Sequence, residues 1–264
     1  MPFKYKTKPY EHQEEALFKS FNRKNYAYFM EMGCGKSKVL IDNITWLYEN
    51  KEIDTAIIVA PKGVYMNWKN SEIPSHLPDD VPNKMYVWKS GANKSEKIAL
   101  EEGVRSRVIL RILLVNVEAF ATAKVAKYLE AFTHRSNFLL AVDESTTIKN
   151  IKAKRTKAVL KLGQSAKYKR ILTGSPITQS PMDLYSQCYF LDKDLLGFDS
   201  YWSFQGRYAI IRQTRVGNHS FQQIVGFRNL GELTDKLYNF SYRVTKQEAL
   251  DLPEKIYTTR NVNL

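Results

Sequence analysis

Short apolar runs recur along this chain, separated by stretches whose apolar residues return every three or four positions. The runs Tyr26–Met30, Thr55–Ala60, Met85–Trp88, Arg111–Val115, Phe138–Val142 and Tyr168–Leu172 read as strands. The stretches Lys38–Tyr48, Val64–Ile73, Val125–Phe132 and Ala153–Leu162 fit helices by their i, i+3, i+4 spacing. Because the strands are apolar nearly throughout rather than alternating, both faces of their sheet must be covered. The pattern predicts an α/β fold: a mostly parallel sheet with helices on both sides. Ligands bind such sheets at the carboxyl ends of the strands.

The pattern changes after about residue 190. From Leu196 to Tyr242 the aromatics Tyr201, Trp202, Phe204, Tyr208, Phe221 and Phe227 interleave with Arg207, Arg212, Arg215 and Arg228. A small appended helical segment is expected here, with a hairpin turning at Gly217-Asn218. Its aromatics read first as a subdomain core and second as platforms for nucleic-acid bases. Lys255 to Leu264 alternate weakly, like a strand. The division that follows is a main lobe over 1–195, an appendage over 196–243 and a last stretch over 244–264.

Composition narrows the classes. At 264 residues and 44% hydrophobic the chain can bury a sizeable core. Its 40 Lys and Arg against 27 Asp and Glu leave a net charge of +13, which suits a polyanion such as nucleic acid, or an acidic protein. Cys34 and Cys188 are too few and too far apart for a disulfide framework or a metal cluster, and His12, His76, His134 and His219 are equally scattered. Met1 to Pro9 is basic and polar, and no stretch is long enough to cross a bilayer. A soluble intracellular protein is expected, cytoplasmic or nucleoid-associated, with no membrane partner.

Two motifs carry chemistry. Glu31-Met32-Gly33-Cys34-Gly35-Lys36-Ser37 follows a predicted strand and opens a predicted helix. Gly33 and Gly35 free the backbone to turn its N–H groups toward phosphate oxygens, and the new helix adds positive potential. Lys36 is placed to reach the outer phosphates of ATP, and Ser37 to bind Mg²⁺. The longer kinase-type pattern wants glycine where this chain has Met30, which favours a compact helicase-type loop. The second motif is Asp143-Glu144 after the apolar run Phe138–Val142. Asp143 would hold Mg²⁺ directly or through water, and Glu144 would orient and deprotonate an attacking water. Between Lys149 and Arg170 there are nine Lys or Arg and no Asp or Glu; a solvated helix face explains them more simply than phosphate contacts. Trp68 and Trp88 read as packing residues.

With these residues in place, nearly the whole chain resembles the first RecA-like lobe of a superfamily-two helicase, in the Swi/Snf-type branch of DNA-dependent ATPases. Pro9-Tyr10-Glu11-His12-Gln13 is similar to the family's adenine-reading motif, with Gln13 on the base edge. Glu31 to Ser37 matches motif I, and Cys34 falls at a variable position inside it. Ala60-Pro61-Lys62 with Trp68, and Leu114-Val115-Asn116-Val117-Glu118, resemble motifs that face the nucleic-acid strand. Lys62 and Asn116 are the implied backbone contacts. Asp143-Glu144-Ser145-Thr146 resembles the DExx box, and Leu172-Thr173-Gly174-Ser175-Pro176-Ile177 resembles motif III, in which Thr173, Gly174 and Ser175 couple the ATP site to strand binding. Tyr242-Arg243-Val244-Thr245-Lys246, followed by Leu252-Pro253, resembles the bridge into the family's second lobe.

The resemblance implies ATP and Mg²⁺ as ligands, double-stranded DNA as partner and a second RecA-like lobe to complete the motor. An arginine finger from that lobe is worth about 10³–10⁵ in rate, so weak hydrolysis is expected of this chain alone. Ser145-Thr146 stands where the family has Ala-His or Ala-Gln, which shortens the usual link from the acid pair to motif III. Two other readings remain open: a nucleotide-switched binding module without useful turnover, and a P-loop phosphotransferase. Met30 and the Thr173-Gly174-Ser175 motif argue against the latter.

Overall fold

The computed structural model describes residues 3–106, 109–216 and 219–249. Strands β1 (Asn25–Met30), β2 (Thr55–Ala60), β3 (Asn83–Val87), β4 (Leu110–Asn116), β5 (Phe138–Asp143), β6 (Tyr168–Leu172) and β9 (Ser241–Val244) form one seven-stranded sheet in the order β3-β4-β2-β5-β6-β1-β9. Every pairing in it is parallel. The remaining strands, β7 (Ala209–Val216) and β8 (His219–Phe227), pair antiparallel as a separate ribbon. The expected Gly217-Asn218 turn between them lies outside the described residues, as do Leu252-Pro253 and the weakly alternating stretch from Lys255.

Helices cover both faces of the sheet. They are α1 (Glu11–Ser20), α2 (Lys36–Glu49), α3 (Tyr65–Asn67), α4 (Ile73–His76), α5 (Lys94–Arg105), α6 (Ala123–Thr133), α7 (Lys154–Gly163), α8 (Asp183–Leu191), α9 (Tyr201–Tyr208), α10 (Leu230–Tyr238) and α11 (Lys246–Ala249). Among the described residues, no helix is long and apolar enough to cross a membrane. The strands face two cores, as their continuous apolar sequences require. Along β5, Phe138, Leu140 and Val142 join Phe132, Phe190 and Phe204 on one side, while Leu139 and Ala141 join Leu40, Ile44 and Trp68 on the other.

Two sequence expectations change in the structure. The stretch expected as one helix, Val64–Ile73, is broken: between α3 and α4 lies a π-helical turn, Trp68–Glu72, and Pro74 sits near the start of α4. Such turns are rare, occur mostly as single turns within α-helices and are frequent at functional sites. The basic run Lys149–Arg170 is not a uniformly solvated face either. Arg170 is fully buried in β6, donating to Asn43 Oδ1 and to the carbonyls of Ser20, Arg23, Lys24 and Lys169. Burial lowers the pKa of its guanidinium, which nonetheless ties α1, β1 and α2 to β6.

In the aromatic-rich stretch, Phe204 and Tyr208 are fully buried against Phe198 and Tyr185 and join the main core on one face of the sheet, whereas Phe221 is exposed. Trp202 is different: it is exposed, with the Lys152 ammonium 5.6 Å from its ring centre.

Candidate nucleotide site at the carboxyl edge of the sheet

The loop after β1 is shaped by glycines where side chains would collide. Gly33 and Gly35 have φ of +89° and +78°, in the left-handed region that glycine occupies without steric penalty. A Cβ on Gly35 would lie 2.2 Å from Gln13 Nε2, and one on Gly33 would lie 3.2 Å from Lys246 Cε. From the other side, a Cβ on Gly174 would come within 3.1 Å of the Met32 nitrogen. The loop is thus packed by three remote segments of chain, and glycine at each contact lets them close in.

Lys36 opens α2 and is buried; its ammonium donates to the Met30 carbonyl at 2.9 Å and the Glu31 carbonyl at 3.4 Å. The absent glycine at position 30 therefore leaves a buried Met30 whose backbone oxygen anchors the lysine. Ser37 follows on the first turn of α2, half-buried. Gln13 is engaged at both ends of its amide: Oε1 accepts from the Tyr10 N–H at 3.1 Å, and Nε2 donates to the Cys34 carbonyl at 3.3 Å. His12 Nε2 lies 2.9 Å from that same carbonyl. The Cys34 thiol is buried, and desolvation raises its pKa, which suits packing and not nucleophilic chemistry.

β5 delivers the acid pair. Asp143 is 8% exposed; its Oδ1 accepts from the Glu144 N–H at 3.0 Å and its Oδ2 from the Trp68 indole N–H at 2.9 Å. Burial pushes its carboxyl up to about 6, helped by the neighbouring charge of Glu144 and opposed by the Trp68 bond, the Glu144 N–H and the charge of Lys36. Trp68 itself is fully buried in the π-helical turn. Its burial agrees with the packing role expected of it; what the sequence does not show is the acceptor that a buried indole N–H usually finds.

Glu144 has a φ of +47°, uncommon for a residue with a side chain, and caps the 3₁₀ turn Ser145–Ile148. Its carboxylate accepts from the Thr173 hydroxyl at 3.3 Å, and Thr173 Oγ1 in turn accepts from the Ser175 N–H at 3.2 Å. The short Ser145 side chain points elsewhere, donating to Gln187 Oε1 at 2.6 Å. In this chain the contact between acid pair and Thr173 is therefore made by Glu144 itself. β6 lies between β1 and β5, so Thr173, Gly174 and Ser175 leave the sheet between the loop and the acids.

Lys62 follows β2 and Asn116 is the last residue of the adjacent β4, whose register pairs it with Ala60. Lys62 is exposed, whereas the Asn116 side chain caps the turn Val117–Ala121 by accepting from the Ala119 N–H at 2.8 Å.

Known proteins share this architecture. The family model described as the SNF2-related domain matches residues 21–264. The chain is 28% identical over 227 residues to the Bos taurus DNA annealing helicase and endonuclease ZRANB3, a match covering 86% of this chain and 20% of that protein. It is 30% identical over 163 residues to the Arabidopsis thaliana probable ATP-dependent DNA helicase CHR12, covering 61% of this chain and 14% of that one. The chain thus spans about a fifth or less of the length of these curated relatives. Its fold superposes on the Sulfolobus solfataricus SWI2/SNF2 ATPase core in complex with dsDNA with a TM-score of 0.67 and 22% identity, covering 93% of this chain and 46% of that one. That likeness establishes a RecA-like α/β fold. Since the family model runs from residue 21 to the last residue, through loop, acid pair and motif III alike, the chain belongs to the SNF2-related domain family, as a Swi/Snf-type first lobe.

Proposed function

We propose that this lobe binds ATP with Mg²⁺ and contributes half of a DNA-dependent ATPase motor of the translocase type. The observation that carries the reading is the meeting of Lys36, Asp143, Glu144 and Thr173 at the carboxyl ends of β1, β5 and β6, where parallel sheets take their ligands. Gly33, Gly35 and Gly174 add no side chain of their own where Lys246, Gln13 and the Met32 backbone close on the loop, and the first two leave its N–H groups free to turn toward phosphate.

The donor set fits magnesium. Among the described residues no cluster of three or more His, Cys, Asp or Glu could cage a metal, and Mg²⁺ characteristically takes only one or two carboxylates, with waters and substrate phosphates completing its shell. Asp143 and Ser37 would hold it, and it would neutralise charge on the phosphate oxygens. Lys36 exchanges its loop carbonyls for the outer phosphates. Gln13, held beside the loop, keeps an N–H and a lone pair for the adenine edge. Glu144 orients the attacking water and takes its proton, while its bond to Thr173 couples that carboxylate to motif III.

Residues 1–195 act as the ATP-binding lobe, 196–243 as an appendage that rejoins the sheet through β9, and 244–264 as the bridge to a second lobe. Lys62 and Asn116 supply contacts to the backbone of double-stranded DNA without reading its sequence. Turnover by this chain alone is weak, because the arginine finger belongs to the second lobe.

Nucleotide titration and ATP hydrolysis with and without DNA test the proposal. Lys36→Ala should abolish nucleotide binding. Glu144→Gln should leave binding intact and suppress DNA-stimulated hydrolysis in a protein carrying both lobes. Equal nucleotide binding by these two variants would refute the roles given to them, and ATP binding with no effect of DNA on turnover would reduce the lobe to a nucleotide-switched module.

A further inference from the structure

A second lysine leans on the phosphate loop from the edge strand next to β1. β9 pairs with β1 so that Val244 lies beside Met30, and the Glu31 N–H donates to the Val244 carbonyl at 2.9 Å. One turn of chain later, the Lys246 N–H donates to the Glu31 carboxylate at 2.8 Å. These two bonds carry Lys246 to the loop, where its Cε and Nζ stand 3.2 and 3.7 Å from the position a Cβ on Gly33 would take.

The environment of this ammonium is incomplete. Lys246 is half-buried, yet among the described residues its Nζ makes no hydrogen bond and no ion pair. The nearby acids are otherwise employed: the Glu31 carboxylate accepts from the Lys246 backbone, and the Glu248 carboxylate accepts from the N–H and hydroxyl of Thr245. Lys36, by contrast, is satisfied by the carbonyls of Met30 and Glu31. A cation held against a loop of phosphate-binding shape, with no acceptor of its own, is matched by an anion bound in that loop.

We propose that Lys246 is a second phosphate ligand, whose ammonium binds a phosphate oxygen of a nucleoside di- or triphosphate held by residues 33–37. The proposal rests on reading Glu31–Ser37 as a phosphate loop. Its consequence is that bound nucleotide pins the segment 244–249 to the loop, so that occupancy of the site is felt by the chain that leaves it.

The test is direct titration of the full 264-residue chain with fluorescent ADP and ATP analogues in Mg²⁺. Wild type, Lys246→Met, Lys246→Arg and Lys36→Ala are compared. Lys246→Met keeps the apolar stem, so its melting temperature without nucleotide should match wild type. Its affinity should fall about tenfold or more, the scale for losing a hydrogen bond to a charged group, and Lys246→Arg should restore most of it. Amide hydrogen exchange gives an independent reading: nucleotide should slow exchange over 244–249 in wild type and not in Lys246→Met. Unchanged affinity and unchanged protection in Lys246→Met, with binding lost in Lys36→Ala, would overturn the proposal and leave the phosphate loop standing. Equal binding, or none, by wild type and Lys36→Ala would overturn both.

Discussion

Replacing Trp68 with phenylalanine removes the indole N–H that donates to the acid pair. The indole N–H is one of two donors on a carboxylate that is only 8% exposed, and its 2.9 Å bond is among the influences holding the carboxyl at about 6 against the upward push of burial. A hydrogen bond to a charged group is worth about 1.5–3 kcal/mol, and about 1.4 kcal/mol moves a pKa by one. Losing the bond should therefore carry Asp143 from about 6 to about 7–8.

At about pH 7 the ionised fraction would fall ~2- to 15-fold, and because only the carboxylate binds magnesium, the Mg²⁺ needed for nucleotide binding should rise by the same factor. Raising the pH to about 8.5 should recover most of it. The assay is a Mg²⁺ titration of nucleotide binding at both pH values, with thermal melting to show that phenylalanine fills the site. Two results would refute the reasoning: identical Mg²⁺ dependence in variant and wild type, or a deficit that higher pH leaves untouched.

Gly35→Ala should lower stability by about 1–2 kcal/mol for left-handed backbone, and by more for the 2.2 Å approach to Gln13 Nε2. Adding Gln13→Ala should return the second part only, and chemical denaturation of both variants measures the split. Asp42 is buried with its carboxylate 2.8 Å from the Lys38 ammonium, and desolvation pushes it up to about 6. A carboxyl whose folded pKa lies above its unfolded one stabilises the chain at low pH and loses that contribution as pH rises from about 4 through about 6. Asp42→Asn should lack this loss, so its stability relative to wild type should climb by up to ~3 kcal/mol between about pH 4 and 7, as urea denaturation at several pH values would report.

The strands were legible because parallel strands buried on both faces have few ways to be written. Thr55–Ala60 is a strand with the bounds its apolar run predicts, and Tyr168–Leu172 keeps its predicted bounds although Lys169 and Arg170 interrupt its apolar residues. β9 was not legible: Ser241–Val244 is short and mixed in polarity, and becomes a strand only because β1 offers an unpaired edge over two hundred residues away in sequence. The broken helix at Trp68 has the same origin, since its π-helical turn accompanies a bond to Asp143, 75 positions later. Local spacing singled out Gly33, Gly35, Lys36 and the Asp143-Glu144 pair as candidates, because their chemistry is written in adjacent residues. The proximity of Lys246 to Gly33 and of Gly174 to Met32 is a property of strand order, which no local pattern encodes.

Strand order also fixes a dimension. With β6 interposed, the loop and the acid pair are separated by two interstrand steps, about 9.5 Å in all. Hydrogen-bond geometry quantises that spacing, so point substitutions cannot tune the width of the notch between them. Gly174 lies between them, and a Cβ there would press on the loop backbone at Met32, Glu31 and Met30. A side chain at that position would strain the loop itself, which leaves this lobe a gauge of fixed aperture.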